Sequence, residues 1–352
     1  MIGFIIRRLV YSVVIIAAST VLIYFLLTLI PGSPLAALYM STGPHKLSLA
    51  EIHAIGHLWG LLDAQGNLIP WYQRYFTWLF SPDRAGIDVT LGAWHIHGGG
   101  MLTGDWGVST FVAPTKPTLQ LMGERLPFTL ILMGGTMLLS LLIGLPMGIL
   151  GAVKQYSRLD YTLTLFGFAG ISLPGFWLAW MLILVFGVTL RTWGLPHLPI
   201  SGAYDVEMQG DLWNRFTHLI LPMITLTIPS LAGWSRFLRS QLLEVLRLDY
   251  VRTAWAKGLR PRAVILKHAL RNALGPMITL FTLSLPVLFG GTVIVESVFS
   301  YPGMGQLYIT ALSAYDWTVV MGYLLVTTTL IVLANLLADV LYAVADPRIR
   351  YT

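Results

Sequence analysis

The sequence has no cysteine, which excludes disulfides, zinc–thiolate centres and thiol nucleophiles. Charge is also scarce: Asp, Glu, Lys and Arg make up 11% of the 352 residues, less than half of the roughly 25% usual in soluble domains. Hydrophobic residues reach 56%, against roughly 45–50% in such domains. A water-facing surface needs more charge than this, so the composition is that of an integral membrane protein. None of the five lysines follows a Gly-x-x-x-x-Gly turn and precedes Ser or Thr, so a phosphate-cradling loop is missing. His-Glu-x-x-His and Gly-x-Ser-x-Gly are missing too, which weakens any intramembrane-enzyme reading. No self-similarity relates the first three apolar windows to the last three, which argues against the paired repeats of a self-contained secondary transporter.

Long apolar runs are what the chain does have. A helix needs about 20 apolar residues to cross about 30 Å of hydrocarbon, and windows at 9–30, 128–153, 163–190, 216–238, 277–298 and 317–344 qualify. The expectation is an all-α protein with six transmembrane helices. The first window follows Arg7 and Arg8 but is too long for the ~7–15 residue core of a signal peptide, so it is kept as a helix. With both termini cytoplasmic, the inner segments carry 15 Lys and Arg and the outer ones 7, as the positive-inside rule requires. The net charge of +6 then needs no nucleic-acid partner.

This topology divides the chain into an N-terminal segment and first helix (1–30), an extracytoplasmic cap loop (31–126), a five-helix core (127–345) with a cytoplasmic loop at 239–276, and a cytoplasmic tail (346–352). The cap loop holds an aromatic run, WYQRYFTWLF at 71–80, of a kind that packs at a membrane interface or in the cap's own core. It also holds five of the eight histidines. His53 and His57 share one helical face, and His95 and His97 one strand face, but a metal site needs three or four convergent ligands. A structural role is the better reading of both pairs. The glycines at 98–100 read as a flexible turn.

Polar groups at membrane depth are costly and mark pathways or helix contacts. Glu296, Asn335 and Asp339 are the candidates, with Asn335 and Asp339 four residues apart on one face. Pro174, Pro222, Pro229 and Pro286 lie in or beside spans, where each can kink a helix.

The densest charge lies at 244–276, where seven of the 22 Lys and Arg residues fall, with Arg239 just upstream. Asp249 can cap a short helix over 250–257. Ala254 and Ala256 are small enough to let another protein approach, and Gly258 stops the helix. Pro261 blocks its continuation, and a second basic helix follows over 262–274. Lipid headgroups alone would attract the arginines but would not call for a small-residue helix stopped by glycine, so the loop reads as a docking element.

In DYVRTAWAKGL (249–259) and HALRNALGP (268–276) the chain resembles the permease subunits of ABC importers, in particular the dipeptide, oligopeptide and nickel branch. The resemblance extends to ESVFSYPGMG (296–305), NLLADVLYAVADPRIR (335–350), ERLPFTLIL (124–132) and GDWGVS (104–109), leaving out chiefly residues 83–100. It implies a type I importer fold in the inner membrane. It also implies a coupling helix at 250–259, with Asp249, Tyr250, Arg252, Thr253, Ala254, Ala256, Lys257, Gly258 and Leu259 facing an ATP-binding subunit. Ala254 would make the close contact and Gly258 the turn. Arg252 stands where the wider family has glutamate, and Trp255 where a basic residue is expected.

The implied partners are a second permease, two ATP-binding subunits that hold ATP and Mg, and an extracytoplasmic binding protein. The chain itself would hold no cofactor or metal, and the large external loop would mark it as the first permease of the pair. Peptides are the implied cargo, with nickel complexes, glutathione or oligosaccharides as alternatives. The rival reading is a stand-alone carrier that relays protons through Glu296 or Asp339.

Overall fold

The computed structural model describes residues 2–29, 48–58, 61–63, 65–80, 87–91, 94–98 and 100–345. Helix dominates. The elements are α1 (Ile2–Leu29), α2 (Leu49–Leu58), α3 (Trp71–Phe80), the strands β1 (Ile87–Leu91) and β2 (Trp94–Gly98), α4 (Thr118–Val153), α5 (Arg158–Ser172), α6 (Gly175–Leu182), α7 (Leu212–Val245), α8 (Asp249–Ala256), α9 (Gly275–Val298), α10 (Met304–Ser313) and α11 (Trp317–Ala345). The two strands pair antiparallel, Ile87 opposite Gly98 and Leu91 opposite Trp94. Gly98, expected in a flexible turn, is instead the last residue of β2, and Gly99 and the 346–352 tail lie outside the described residues.

Among the described residues, six helices are long and apolar enough to cross a membrane: Ile6–Leu29, Thr118–Val153, Gly175–Thr192, Leu212–Val245, Gly275–Val298 and Trp317–Leu337. The third differs from the window expected at 163–190. That window joins two helices, because α5 ends at Ser172 and Pro174 adopts an extended conformation with ψ 132°. Proline lacks an amide hydrogen and its ring clashes with the preceding turn, so helix resumes only at Gly175. It then runs through a widened π turn, Ile183–Thr189, to Thr192. Pro222, Pro229 and Pro286, by contrast, sit inside continuous helices.

The chain divides into two compact units. The first comprises residues 1–9, 127–306 and 333–352. One of its apolar clusters gathers Trp234, Leu238 and Leu242 of α7 with Val251, Val264, Ala273 and Met277, and another gathers Leu132, Ala179, Leu221, Phe299 and Tyr301. Helices α5 and α7 approach closely because α5 presents Gly167 and Gly170, the latter directly over Ile228, as small residues permit between membrane helices. One ion pair fastens the start of α5 to α7. Arg239 donates through Nε and a terminal nitrogen to the two oxygens of Asp160, each at 2.8 Å. Those bonds hold the Asp160 carboxyl below its ordinary range. A depressed carboxylate stabilises the fold above its unfolded pKa and loses that contribution as pH falls through the folded value. The pair is therefore fully formed at neutral pH.

The second unit comprises residues 10–126 and 307–332. Helix α3 packs on α1, where the Tyr75 and Thr20 hydroxyls meet at 2.8 Å. Downstream, the 109–112 segment curls around one carboxylate. Asp316 Oδ2 accepts from Ser109 Oγ at 2.5 Å and from the amides of Thr110, Phe111 and Val112 at 3.0, 3.0 and 3.1 Å. Thr318 Oγ1 donates to Oδ1 at 3.1 Å. Asp316 and Ser109 are both wholly buried. Asp316→Ala would strand the four donors to Oδ2, while Thr318 Oγ1 keeps the Val108 carbonyl, and each buried unsatisfied group costs about 1–3 kcal/mol. The expected result is a marked fall in thermal unfolding temperature in detergent, with Asp316→Asn, which keeps one acceptor oxygen, falling less.

Candidate functional site

The basic elbow between α7 and α9 is built around α8. Leu248 precedes the helix with extended backbone and no side-chain cap, so the capping role expected of Asp249 is not observed. Asp249 occupies the first helical position instead, where an acidic group favours the helix dipole, and stands 3.7 Å from Arg252. The amphipathic pattern of DYVRTAWA buries Val251 and Ala254, at 0% and 5% exposure, against Leu242, Val264, Ala269 and Ala273. Ala254, expected to touch a partner protein, is therefore turned into this chain's own core. A small residue is needed there because the returning segment packs closely on it.

The opposite face is open. Tyr250, Arg252, Thr253, Trp255, Ala256, Lys257, Gly258 and Leu259 are all exposed. Gly258 has φ 72°, a left-handed conformation that a side chain disfavours. Its amide donates to the Trp255 carbonyl at 3.0 Å, closing the helix. The returning segment was expected as one helix over 262–274. It comprises a turn at Pro261–Ala263, a π segment Val264–Ala269 and a last turn Leu270–Ala273. The wide turn carries Val264 and Ala269, five positions apart, into the same core. Asn272 Nδ2 donates to the Tyr250 hydroxyl at 2.6 Å, pinning the two arms of the elbow together.

At the far end of α9, Glu296 is wholly buried. Thr129 Oγ1 of α4 donates to its Oε1 at 2.7 Å, and the amides of Gly305 and Gln306 donate to Oε2 at 2.6 and 3.2 Å. Thr129 Oγ1 also accepts from the Met304 amide at 2.8 Å. One carboxyl group thus joins α4, α9 and the first turn of α10. Gly303 and Gly305 make this approach possible. A Cβ at Gly303 would fall on the Glu296 carboxyl, and one at Gly305 on the Val293 backbone.

The other intramembrane candidates lie apart. Asp339 pairs with Arg8 at 3.1 Å, and Asn335 is exposed. A cavity of about 290 Å³ opens within the first unit. Thr136, Ser140, Thr225, Ser230 and Ser284 are among its lining residues, none of which is ionisable, and the hydroxyls of Ser140, Thr225, Ser230 and Ser284 donate to carbonyls of their own helices. Glu296, Asn335 and Asp339 do not line it. Among the described residues no group of three His, Cys, Asp or Glu side chains could hold a metal ion.

Sequence reasoning passed over Thr129, although it lies within ERLPFTLIL. It also counted Arg239 only as a loop charge, where the structure pairs it with Asp160. A lone threonine in an apolar helix carries no signal of its partner, but an arginine inside the 212–245 helix does carry one, because a charge there demands a counter-ion.

Six apolar helices with a charged elbow between two of them define a multi-pass membrane protein. The family model of the binding-protein-dependent transport system inner membrane component matches residues 144–351. The oligopeptide transport system permease protein AppB of Bacillus subtilis is 36% identical over 351 residues, covering 100% of both chains. The di/tripeptide transport system permease protein DppB of Pseudomonas aeruginosa is 35% identical over 374 residues, covering 100% of this chain and 99% of that one. Among solved structures, a chain of the inward-facing MetNI methionine ABC transporter superposes with TM-score 0.53 at 21% identity, over 66% of this chain and 99% of that chain. That likeness shows the type I importer fold. The chain belongs to the family of binding-protein-dependent transport system inner membrane components.

Gly303→Ala tests the carboxylate hub against Gly290→Ala, an exposed position in α9 where an added Cβ meets nothing within 4 Å. Displacing the Glu296 bonds should cost roughly 2 kcal/mol or more, read as a lower unfolding temperature in detergent, whereas Gly290→Ala should stay close to wild type.

Proposed function

We propose that the chain is one of two permease subunits of an ATP-driven importer of peptides, and the first of the pair. The observation that carries this reading is the end-to-end match to curated oligopeptide and di/tripeptide permeases. ATP and Mg are held by two partner subunits, and an extracytoplasmic binding protein delivers the cargo. The chain lies in the cytoplasmic membrane with both termini inside, as its Lys and Arg distribution favours, and the 31–126 segment faces outward.

The ATP-binding subunit docks on the exposed face of α8 and its turn: Asp249, Tyr250, Arg252, Thr253, Ala256, Lys257, Gly258 and Leu259. Trp255 is 43% exposed and adds an apolar ring to that face. Ala254 supports it from beneath. When the two ATP-binding subunits close, α8 is displaced, and its packing on α7 and the returning segment carries the movement into the spans. No observation favours the proton-relay reading, because both oxygens of Glu296 are engaged by protein donors and Asp339 pairs with Arg8.

Purification of the tagged chain in mild detergent should recover a second permease and two ATP-binding subunits by mass spectrometry. In proteoliposomes, peptide uptake should require ATP and the binding protein. Uptake by this chain alone, driven by a proton gradient, would overturn the proposal. Gly258→Asp should insert normally but lose peptide-stimulated ATP hydrolysis, because it strains the turn and places a charge at the dock. The two alanines of α8 should separate by role. Ala254→Leu overpacks the core at a cost of about 1–3 kcal/mol and lowers stability, whereas Ala256→Leu leaves stability intact and weakens capture of the ATP-binding subunit.

A further inference from the structure

Helix α3 presents an uncovered aromatic face at membrane depth. At 3.6 residues per turn, side chains step by about 100° around the axis. Trp71, Tyr75 and Trp78 therefore share one sector, and that sector meets α1. Ring centroids lie 5.2 Å apart for Trp71 and Phe25, 5.6 Å for Tyr75 and Tyr24, and 5.7 Å for Trp78 and Tyr24. Tyr72, Phe76, Leu79 and Phe80 fill the neighbouring sector. Tyr72, Phe76 and Phe80 remain 50%, 58% and 52% exposed. Gln73, Arg74 and Thr77 occupy the remaining arc. The apolar arc spans about 200° and the polar arc about 100°, a division suited to a helix lying at a boundary between lipid and water.

With a bilayer centred on the spanning stretch of α1, the contacts set the depth of α3. They fall on residues 20–25 of α1, whose membrane-crossing stretch of 24 residues ends at Leu29. At 1.5 Å per residue they lie about 6–13 Å from that end. The stretch is about 36 Å long against about 30 Å of hydrocarbon, so roughly 3 Å at each end projects into the headgroups. Helix α3 thus sits about 3–10 Å below the hydrocarbon boundary, close to the ~5–10 Å typical of interfacial helices.

We propose that α3 is an interfacial anchor, and that the Tyr72, Phe76 and Phe80 stripe lies against the lipid of the leaflet at the Leu29 end of α1. The bilayer is the occupant because α3 packs on residues 20–25 of α1, inside its membrane-crossing stretch, which brings the stripe to the level of the lipid. The stripe carries no charge, and its rings are of the kind that gather at membrane interfaces. On the polar arc Gln73 is exposed and is left for the aqueous side, whereas Arg74 and Thr77 are half-buried within the protein. The connection between the first two spans is thereby held to the membrane at its middle rather than standing free of it.

The lack of native cysteine makes the test direct. Single variants Phe76→Cys, Phe80→Cys and Gln73→Cys are spin-labelled in the assembled complex reconstituted in liposomes. Relaxation of each label by oxygen, which concentrates in lipid, is compared with relaxation by a water-soluble nickel chelate. The labels at 76 and 80 should respond several-fold more to oxygen than to nickel, and the label at 73 in the reverse order. A stronger nickel response at 76 and 80 would place the stripe in water and overturn the proposal. So would protection of both labels from both reagents, which would mean that another protein subunit covers the stripe.

Discussion

A carboxyl group inside a membrane protein has no water to solvate it, so the protein must supply every donor it needs. Glu296 meets that condition with a threonine hydroxyl from α4 and two amides at the opening of α10. The last turn of α9 can have only one arrangement relative to these elements while the bonds hold. Phe299 and Tyr301, at 1% and 2% exposure, close over the same region, and burial pushes the Tyr301 phenol above its ordinary range. Glycine at 303 and 305 follows from that geometry, since the chain passes too close to the carboxyl group for a side chain.

The opposite end of α9 is fixed by apolar packing. Met277, Ala273 and Ala269 share a core with Val251 and Ala254 of α8 and with Trp234, Leu238 and Leu242 of α7. A displacement of α8 therefore meets α7 and the start of α9 together. Close-packed interiors transmit such displacements because they do not compress. The Arg239–Asp160 pair extends the linkage to α5, which ends at Ser172, just before the extended Pro174. The elbow thus packs α7, α8 and the start of α9 into one core, and the extended break at Pro174 separates α5 from the third span, which begins at Gly175.

Six spans were legible in the sequence because length and apolar content alone specify a helix that must satisfy its own backbone in lipid. The break at Pro174 was less legible: hydropathy is blind to it, and proline within a span is compatible with either a kink or an end. The elbow helix was legible from Gly258 and Pro261, whose backbone restrictions act locally. Which alanine faced inward was not, because Ala254 and Ala256 are equally small, and only the tertiary contact with Val264 and Ala269 separates them. Glu296 stood out as a charge at depth, but its partners lie far away in sequence, and the amides among them leave no trace in residue identity. The capping expectation for Asp249 failed for a related reason. The residue suits the first turn as well as the cap, and the chain entering from Val245 set the register.

The hydroxyl-lined cavity bears on where recognition resides. A peptide carries charged termini, and moving a charge out of water without a paired group costs several kcal/mol or more. The cavity offers Thr136, Ser140, Thr225, Ser230 and Ser284 among apolar neighbours and no ionisable side chain. Four of those hydroxyls already donate to carbonyls of their own helices, and the lining holds no group to pair with a charged end. A charged end brought to this cavity would have to be paired by groups outside its lining, because an unpaired charge moved out of water is too costly to leave unmet.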